Sequence, residues 1–300
     1  MTNNQFRSTS RAIAFTYVTL AYLSGLIAAL ITGYYCRQQG YDTLTTIAIA
    51  DFIGTVVVFL FSFFFNNSSF YDPYWSVAPI IISVYLAMLG WDSGASHARI
   101  GMLLLLVNFW GIRLTYNWAR GWRGLHQQDW RYDDLQEKTG KWYWLVSFSG
   151  IHLFPTVLVY LGCLALYPAM AIDGQPLNFL DLLAGIVTFV AILIEAVADQ
   201  QLRRFVKERK EPGKTLTSGL WGFSRHPNYF GETAFWWGLF LFAMAARPDY
   251  WWVIIGPLSM TLLFNFISIP MIDRRMLKRR SDYQVVMQTI PRWLPWFPRK

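Results

Sequence analysis

Charge is what this sequence has least of. Asp, Glu, Lys and Arg make up 15% of its 300 residues, against about a quarter in an ordinary globular domain, so a soluble surface of the usual kind is excluded. Cysteine is nearly missing as well. Cys36 and Cys163 lie in or beside apolar runs, far apart, and make neither a disulfide framework nor a metal-ligand cluster. There is no Gly-x-Gly-x-x-Gly after a strand, no P-loop and no strand–helix alternation, which excludes a Rossmann-type domain. Repeats of fixed period and low-complexity tracts are also absent.

What is present is hydrophobic: 54% of the chain, with 18% aromatic. These residues form eight runs that cross a bilayer or nearly do, at 12–34, 46–65, 74–90, 100–118, 144–168, 179–198, 230–246 and 250–271. The runs at 74–90 and 230–246 are short enough to be tilted, re-entrant or buried in a bundle. The expected fold is all-α, a polytopic integral membrane helical bundle of about eight helices, with a range of seven to ten. The first run follows Arg7 and Arg11 and is too long for a signal-peptide core, so it reads as a retained helix.

Lys and Arg set the orientation. With both termini cytoplasmic, 22 of the 26 fall on that side, Arg37, Arg99 and Arg247 on the other, and Arg113 inside the fourth run. The net charge of +8 then belongs to loops that meet anionic headgroups or an anionic ligand, not nucleic acid. The chain divides by texture into N-terminal spans at 1–70 and a membrane domain at 71–300, whose polar groups gather on the cytoplasmic side.

The sixth run ends in "AILIEAVADQQLRRF". Glu195, Asp199 and Arg203 recur at a spacing of four, on one helix face. Glu195 sits a turn inside the apolar run, where an ionisable group is costly and normally faces a cavity or a partner. Anchoring by Arg203 alone is the plainer reading, but two stacked carboxylates exceed what anchoring needs. The stretch "GLWGFSRHPNYFGETAFWWG" sets Arg225, His226, Asn228, Tyr229 and Glu232 at the mouth of the next helix, with Pro227 suited to its first turn. Backbone N–H groups at that end favour an anion. His226 could cap the helix; among Arg, Asn and Glu it reads better as a ligand group. Together these residues suit a polar, phosphate-bearing cofactor entering from the cytoplasm. In the fourth run, Arg113, Tyr116, Asn117 and Arg120 form one polar stripe. Asp72, in "YDPYWS", is an expected partner for Arg113. Tyr74 and Tyr116 are candidate proton donors, and Asp51 is a further intramembrane acid without a role.

The blocks "DPYWSVAP", "WGIRLTYNWAR", "EAVADQQLRRF", "GLWGFSRHPNYFGETAFWWG" and "RRMLKRRSDYQVVMQTIPRWLPW" resemble, in order over 72–296, the bacterial DUF1295 membrane proteins of the steroid 5-alpha-reductase-like superfamily. That resemblance implies NADPH contacts from Glu195, Asp199, Arg203, Asn228 and Glu232, with Arg225, His226 and Tyr229 beside them. It also implies a lipophilic substrate entering from the lipid, and the bacterial inner membrane as the location. The second span has no Gln-Glu pair of the eukaryotic reductases, so Tyr116, Asp72 and Arg113 are the expected catalytic substitutes. The function expected is NADPH-dependent reduction of a lipophilic enone. An S-adenosylmethionine-dependent methyltransferase of the isoprenylcysteine carboxyl methyltransferase type is the second reading. A non-enzymatic membrane scaffold or transporter is the third.

Overall fold

The computed structural model describes residues 9–208 and 213–298, and among them there are helices and loops but no strand. Arg7, Arg209 and Lys210 of the basic segments lie outside the described residues. The α-helices are α1 (Arg11–Gln38), α2 (Thr43–Phe64), α3 (Tyr74–Gly90) and α4 (His97–Gly121), then α5 (Trp130–Thr139), α6 (Tyr143–Val146) and α7 (Phe154–Cys163). They continue with α8 (Leu166–Met170), α9 (Phe179–Glu208), α10 (Pro227–Ala246), α11 (Ile255–Leu262), α12 (Ile269–Arg279) and α13 (Tyr283–Thr289). Two wide π-helical turns interrupt the series, Ser147–Leu153 between α6 and α7 and Leu263–Ser268 between α11 and α12.

Among the described residues, seven helical segments are long and apolar enough to cross a membrane. They take in seven of the eight expected runs. The remaining run, at 230–246, is the helix α10, but it opens with Asn228 and Glu232 and buries much of its length, as a helix enclosed by protein does. Leu20, Leu23, Ile27, Leu30 and Ile31 on α1, and Leu182, Ile186, Phe189 and Leu193 on α9, are exposed. Rows of exposed aliphatic side chains on long helices are what lipid, not water, accommodates.

The chain forms two compact units. The first comprises Met1–Tyr85 and Val107–Leu164, the second Leu86–Leu106 and Ala165–Lys300. In the first, α1 buries Ala14, Val18, Ala21 and Gly25 at helical spacing. Small residues let the backbones approach: a Cβ on Gly25 would sit 3.5 Å from the Gly54 carbonyl oxygen of α2. Asp42 starts α2 by accepting from the Thr45 N–H at 3.0 Å and the Thr45 hydroxyl at 2.5 Å, a side-chain cap for groups a helix start leaves open.

In the second unit α9 and α10 lie against each other through Gly231 and Gly238. A Cβ on Gly238 would be 2.1 Å from Thr188 Oγ1, and one on Gly231 would be 2.8 Å from the Ala191 carbonyl oxygen and from Glu195 N and Cβ. The start of α9 is fixed by a buried ion pair. Arg99 donates to both oxygens of Asp181 at 2.6 and 2.8 Å, and to the carbonyls of Gln175 and Pro176 at 3.1 and 3.3 Å. Both side chains are at most 2% exposed.

Candidate functional sites

Each unit carries a buried polar cluster. In the second unit it forms where α10 begins. Pro227 occupies the first turn of α10, where its missing N–H costs nothing, and the preceding residues are pinned by the C-terminal segment. Arg225 N–H donates to the Pro291 carbonyl at 2.9 Å, and the Ser224 hydroxyl to the Trp293 carbonyl at 2.7 Å. That turn delivers Arg225 and His226 to Asp273 of α12. His226 Nε2 lies 2.9 Å from Asp273 Oδ1 and Arg225 Nη1 3.4 Å from Asp273 Oδ2. The Tyr283 hydroxyl of α13 donates to the same Oδ1, and the Arg225 guanidinium sits 5.9 Å from the Tyr283 ring centre.

Burial holds His226 below the ordinary imidazole range, a trend that the hydrogen bond to Asp273 opposes without reversing. Burial and the neighbouring carboxylate push the Tyr283 hydroxyl well above the usual phenol range. The cluster thus reads as neutral imidazole, neutral phenol, one carboxylate and one guanidinium. Two buried donors around it, Arg225 Nε and Trp293 Nε1, have no acceptor among the described residues, although a buried donor normally finds one.

The other residues expected at this site come in from α9 and α10. Glu195 and Glu232 are both 4% exposed, Glu195 packs where Gly231 leaves room, and Glu232 Oε1 accepts from Trp236 Nε1 at 3.0 Å. Asn228 reaches Asp199 at 3.5 Å. The Tyr229 ring stacks on His226 with centroids 5.6 Å apart. Arg203 lies exposed on the same helix as Asp199. Asp273 and Tyr283 were not anticipated. The available signal was one acid in "MIDRRMLKRR", flanked by bases it does not resemble.

An apolar groove of about 360 Å³ opens beside this turn, lined by Leu220, Phe223, Pro227, Pro295, Trp296 and Phe297 together with Ile194 of α9.

In the first unit, Arg113 and Tyr116 lie on α4, and Asp72 lies just before α3. Tyr116 is 61% exposed with the Arg120 guanidinium over its ring, and Arg120 donates to Asn117 at 2.5 Å. Asp72 accepts from the Tyr132 hydroxyl at 2.6 Å. Arg113 lies on α4 with Nε and Nη2 buried. The enclosed acid is Asp51 of α2. The Tyr74 hydroxyl donates to Asp51 Oδ1 at 2.7 Å, both residues are 8% exposed, and Asp51 Oδ2 has no hydrogen-bond partner among the described residues. Asp51, Thr55 and Ser62 recur on α2 at helical spacing, which marks a polar face of that helix.

A family profile described as a protein of unknown function (DUF1295) matches residues 58–290. An uncharacterized protein of Schizosaccharomyces pombe is 25% identical over 252 residues, which cover 77% of this chain and 73% of the relative. No solved structure matches the chain.

Proposed function

The chain belongs to the DUF1295 family, and we propose that it is an integral membrane NADPH-dependent reductase of a lipophilic, carbonyl-conjugated alkene, akin to the steroid 5-alpha-reductase-like enzymes. The observation that carries this reading is the pair of buried donors, Arg225 Nε and Trp293 Nε1, left without an acceptor at the start of α10. A buried guanidinium with an open N–H is a phosphate site in waiting. It favours a cofactor with several phosphates over S-adenosylmethionine, which has none.

In this reading Arg225 and Trp293 hold phosphate oxygens, Asn228, Asp199 and Glu232 hold hydroxyl and amide groups, and Asp273 keeps the guanidinium in place. NADPH, when bound, supplies the hydride. The acid role falls to the hydrogen-bonded pair of Tyr74 and Asp51, buried groups of the kind that stabilise negative charge as it develops on a carbonyl oxygen. The excess of Lys and Arg in the connecting segments supports a cytoplasmic location for both termini, with substrate drawn from the bilayer.

Detergent-purified protein titrated with NADPH, NADH and S-adenosylmethionine in parallel tests the reading. NADPH binds, and Arg225→Met weakens it by roughly ten- to a hundredfold, the loss of one charge-assisted hydrogen bond. Binding of S-adenosylmethionine alone, or NADPH affinity indifferent to Arg225→Met and Glu232→Ala, overturns it.

A further inference from the structure

The apolar groove beside the start of α10 has no part in the reaction described above. Ile194 of α9, Leu220 and Phe223 of the connecting turn, Pro227 and residues 295–297 of the C-terminal segment line it. No lining side chain carries a charge, and the indole N–H of Trp296 is the one polar group among them. A site for a nucleotide base or a sugar needs several placed donors and acceptors. This groove offers a hydrocarbon wall instead.

Its walls are pinned. The backbone N–H of Trp296 donates to the Phe223 carbonyl at 2.9 Å, which adds to the bonds that Ser224 and Arg225 make to Trp293 and Pro291. The turn is fixed to α9 in the same way. Leu220 N–H donates to Gln201 Oε1 and Trp221 Nε1 to the Ala198 carbonyl, both at 3.0 Å. Ile194 lies one turn before Ala198. Around it Val190, Leu193 and Val197 are 44%, 40% and 45% exposed, on a helix long and apolar enough to cross a membrane. On the other wall Trp296 and Phe297 are each 72% exposed, as aromatic rings are at a bilayer surface. The groove therefore continues the apolar stripe of α9, and its rim carries interfacial rings.

We propose that this groove is a binding site for one acyl chain of a membrane phospholipid, taken from the leaflet that meets the C-terminal segment. A volume of about 360 Å³ is at the small end for ligand sites and suits a single chain. Each methylene buried there is worth about fourfold in affinity, so retention follows chain length. With no charge in the lining, it does not follow the headgroup. The chain fills the space between α9 and residues 295–297, and so holds the C-terminal segment on the membrane. The site is independent of the reductase reading, because none of its lining residues acts in that reaction.

Native mass spectrometry tests the site on the full chain, moved into mild detergent from nanodiscs of mixed phosphatidylethanolamine and phosphatidylglycerol. The wild type retains one phospholipid per chain, with either headgroup, and retention falls severalfold when lauroyl chains replace palmitoyl ones. Ile194→Trp fills the groove and lowers retention by about tenfold or more. Leu193→Trp, one residue away on the exposed stripe, leaves it at the wild-type level. Trp296→Asp sets a charge on the groove wall at an exposed position, lowers retention as well, and stands in if Ile194→Trp does not fold. A wild type that retains no phospholipid overturns the site, as does wild-type retention in a folded Ile194→Trp or Trp296→Asp protein. Loss of NADPH affinity in Ile194→Trp, in a protein that retains no lipid, also overturns it and gives the groove to the cofactor. Retained lipid in a protein that binds no NADPH keeps the site and removes the reductase.

Discussion

Replacing Asp181 with Asn tests how the second unit is held together. The change keeps the shape of the side chain and removes the charge facing Arg99, whose side chain is 1% exposed. The guanidinium would keep the Gln175 and Pro176 carbonyls, at 3.1 and 3.3 Å, and lose the carboxylate that takes its two shortest hydrogen bonds, at 2.6 and 2.8 Å. The Asn178 N–H that Asp181 accepts at 3.0 Å would retain an oxygen. Breaking a buried pair by removing one partner costs about 3–5 kcal/mol, because the other charge stays buried without compensation. Replacing both partners with apolar residues of similar volume is often neutral. Asp181→Asn and Arg99→Met should therefore each cost about 3 kcal/mol or more, and Arg99→Met combined with Asp181→Leu should return most of that loss. Reversible unfolding in mixed micelles with increasing denaturing detergent, followed by Trp fluorescence, supplies the three free energies. Single variants within about 1 kcal/mol of wild type, or a double variant worse than either single, would refute the argument, since the pair would then be screened by water or needed for shape alone.

Other outcomes follow from the same geometry. Gly238→Ala, which drives a Cβ into Thr188 Oγ1 at 2.1 Å, destabilises by about 1–3 kcal/mol in the same assay, and Thr188→Ala in that background recovers part of it. Gly54→Ala brings a Cβ to 2.9 Å from the Tyr74 hydroxyl; it should move that hydroxyl off Asp51, seen by infrared spectroscopy as a shifted Asp51 C=O band in a protein that still folds. Because folded His226 titrates below its ordinary value of 6.5, the unfolded chain binds a proton there that the folded chain refuses. Stability is then lost as pH falls below about 6.5, and His226→Gln flattens that portion of the thermal-melt profile while leaving the loss at lower pH, where carboxylates protonate.

The membrane helices were legible because lipid imposes one simple demand, a long apolar stretch, and α1, α2 and α9 meet it openly. The run at 230–246 was legible as a helix too short to span plainly, and burial in a bundle was one of three readings its length left open. Gly231 and Gly238, seven apart on the face toward α9, were the clue, and only a partner helix turns such a pair into a contact. The cluster at the start of α10 was largely visible, since Arg225, His226, Asn228 and Glu232 are adjacent in sequence. Asp273 and Tyr283 were not, because their roles arise from the fold of the tail. Asp51 and Tyr74 were noticed separately and left unconnected. Their pairing depends on how α2 meets α3, which no local pattern encodes.

The two wide π-helical turns have a bearing on which way the residues after them face. A π-type turn takes about one residue more per turn than an α turn, so winding Ser147–Leu153 at regular pitch with every residue kept would swing everything after it by roughly one residue's rotation, about 100°. Thr156 would leave the Thr55 and Tyr71 hydroxyls, 2.7 and 2.6 Å from its own, while α7 stayed equally apolar and equally helical. The same arithmetic applies to Leu263–Ser268, beyond which lies Asp273. Each wide turn accommodates about one residue beyond regular pitch and so acts as a phase setting for the polar residues downstream, one that hydropathy cannot register.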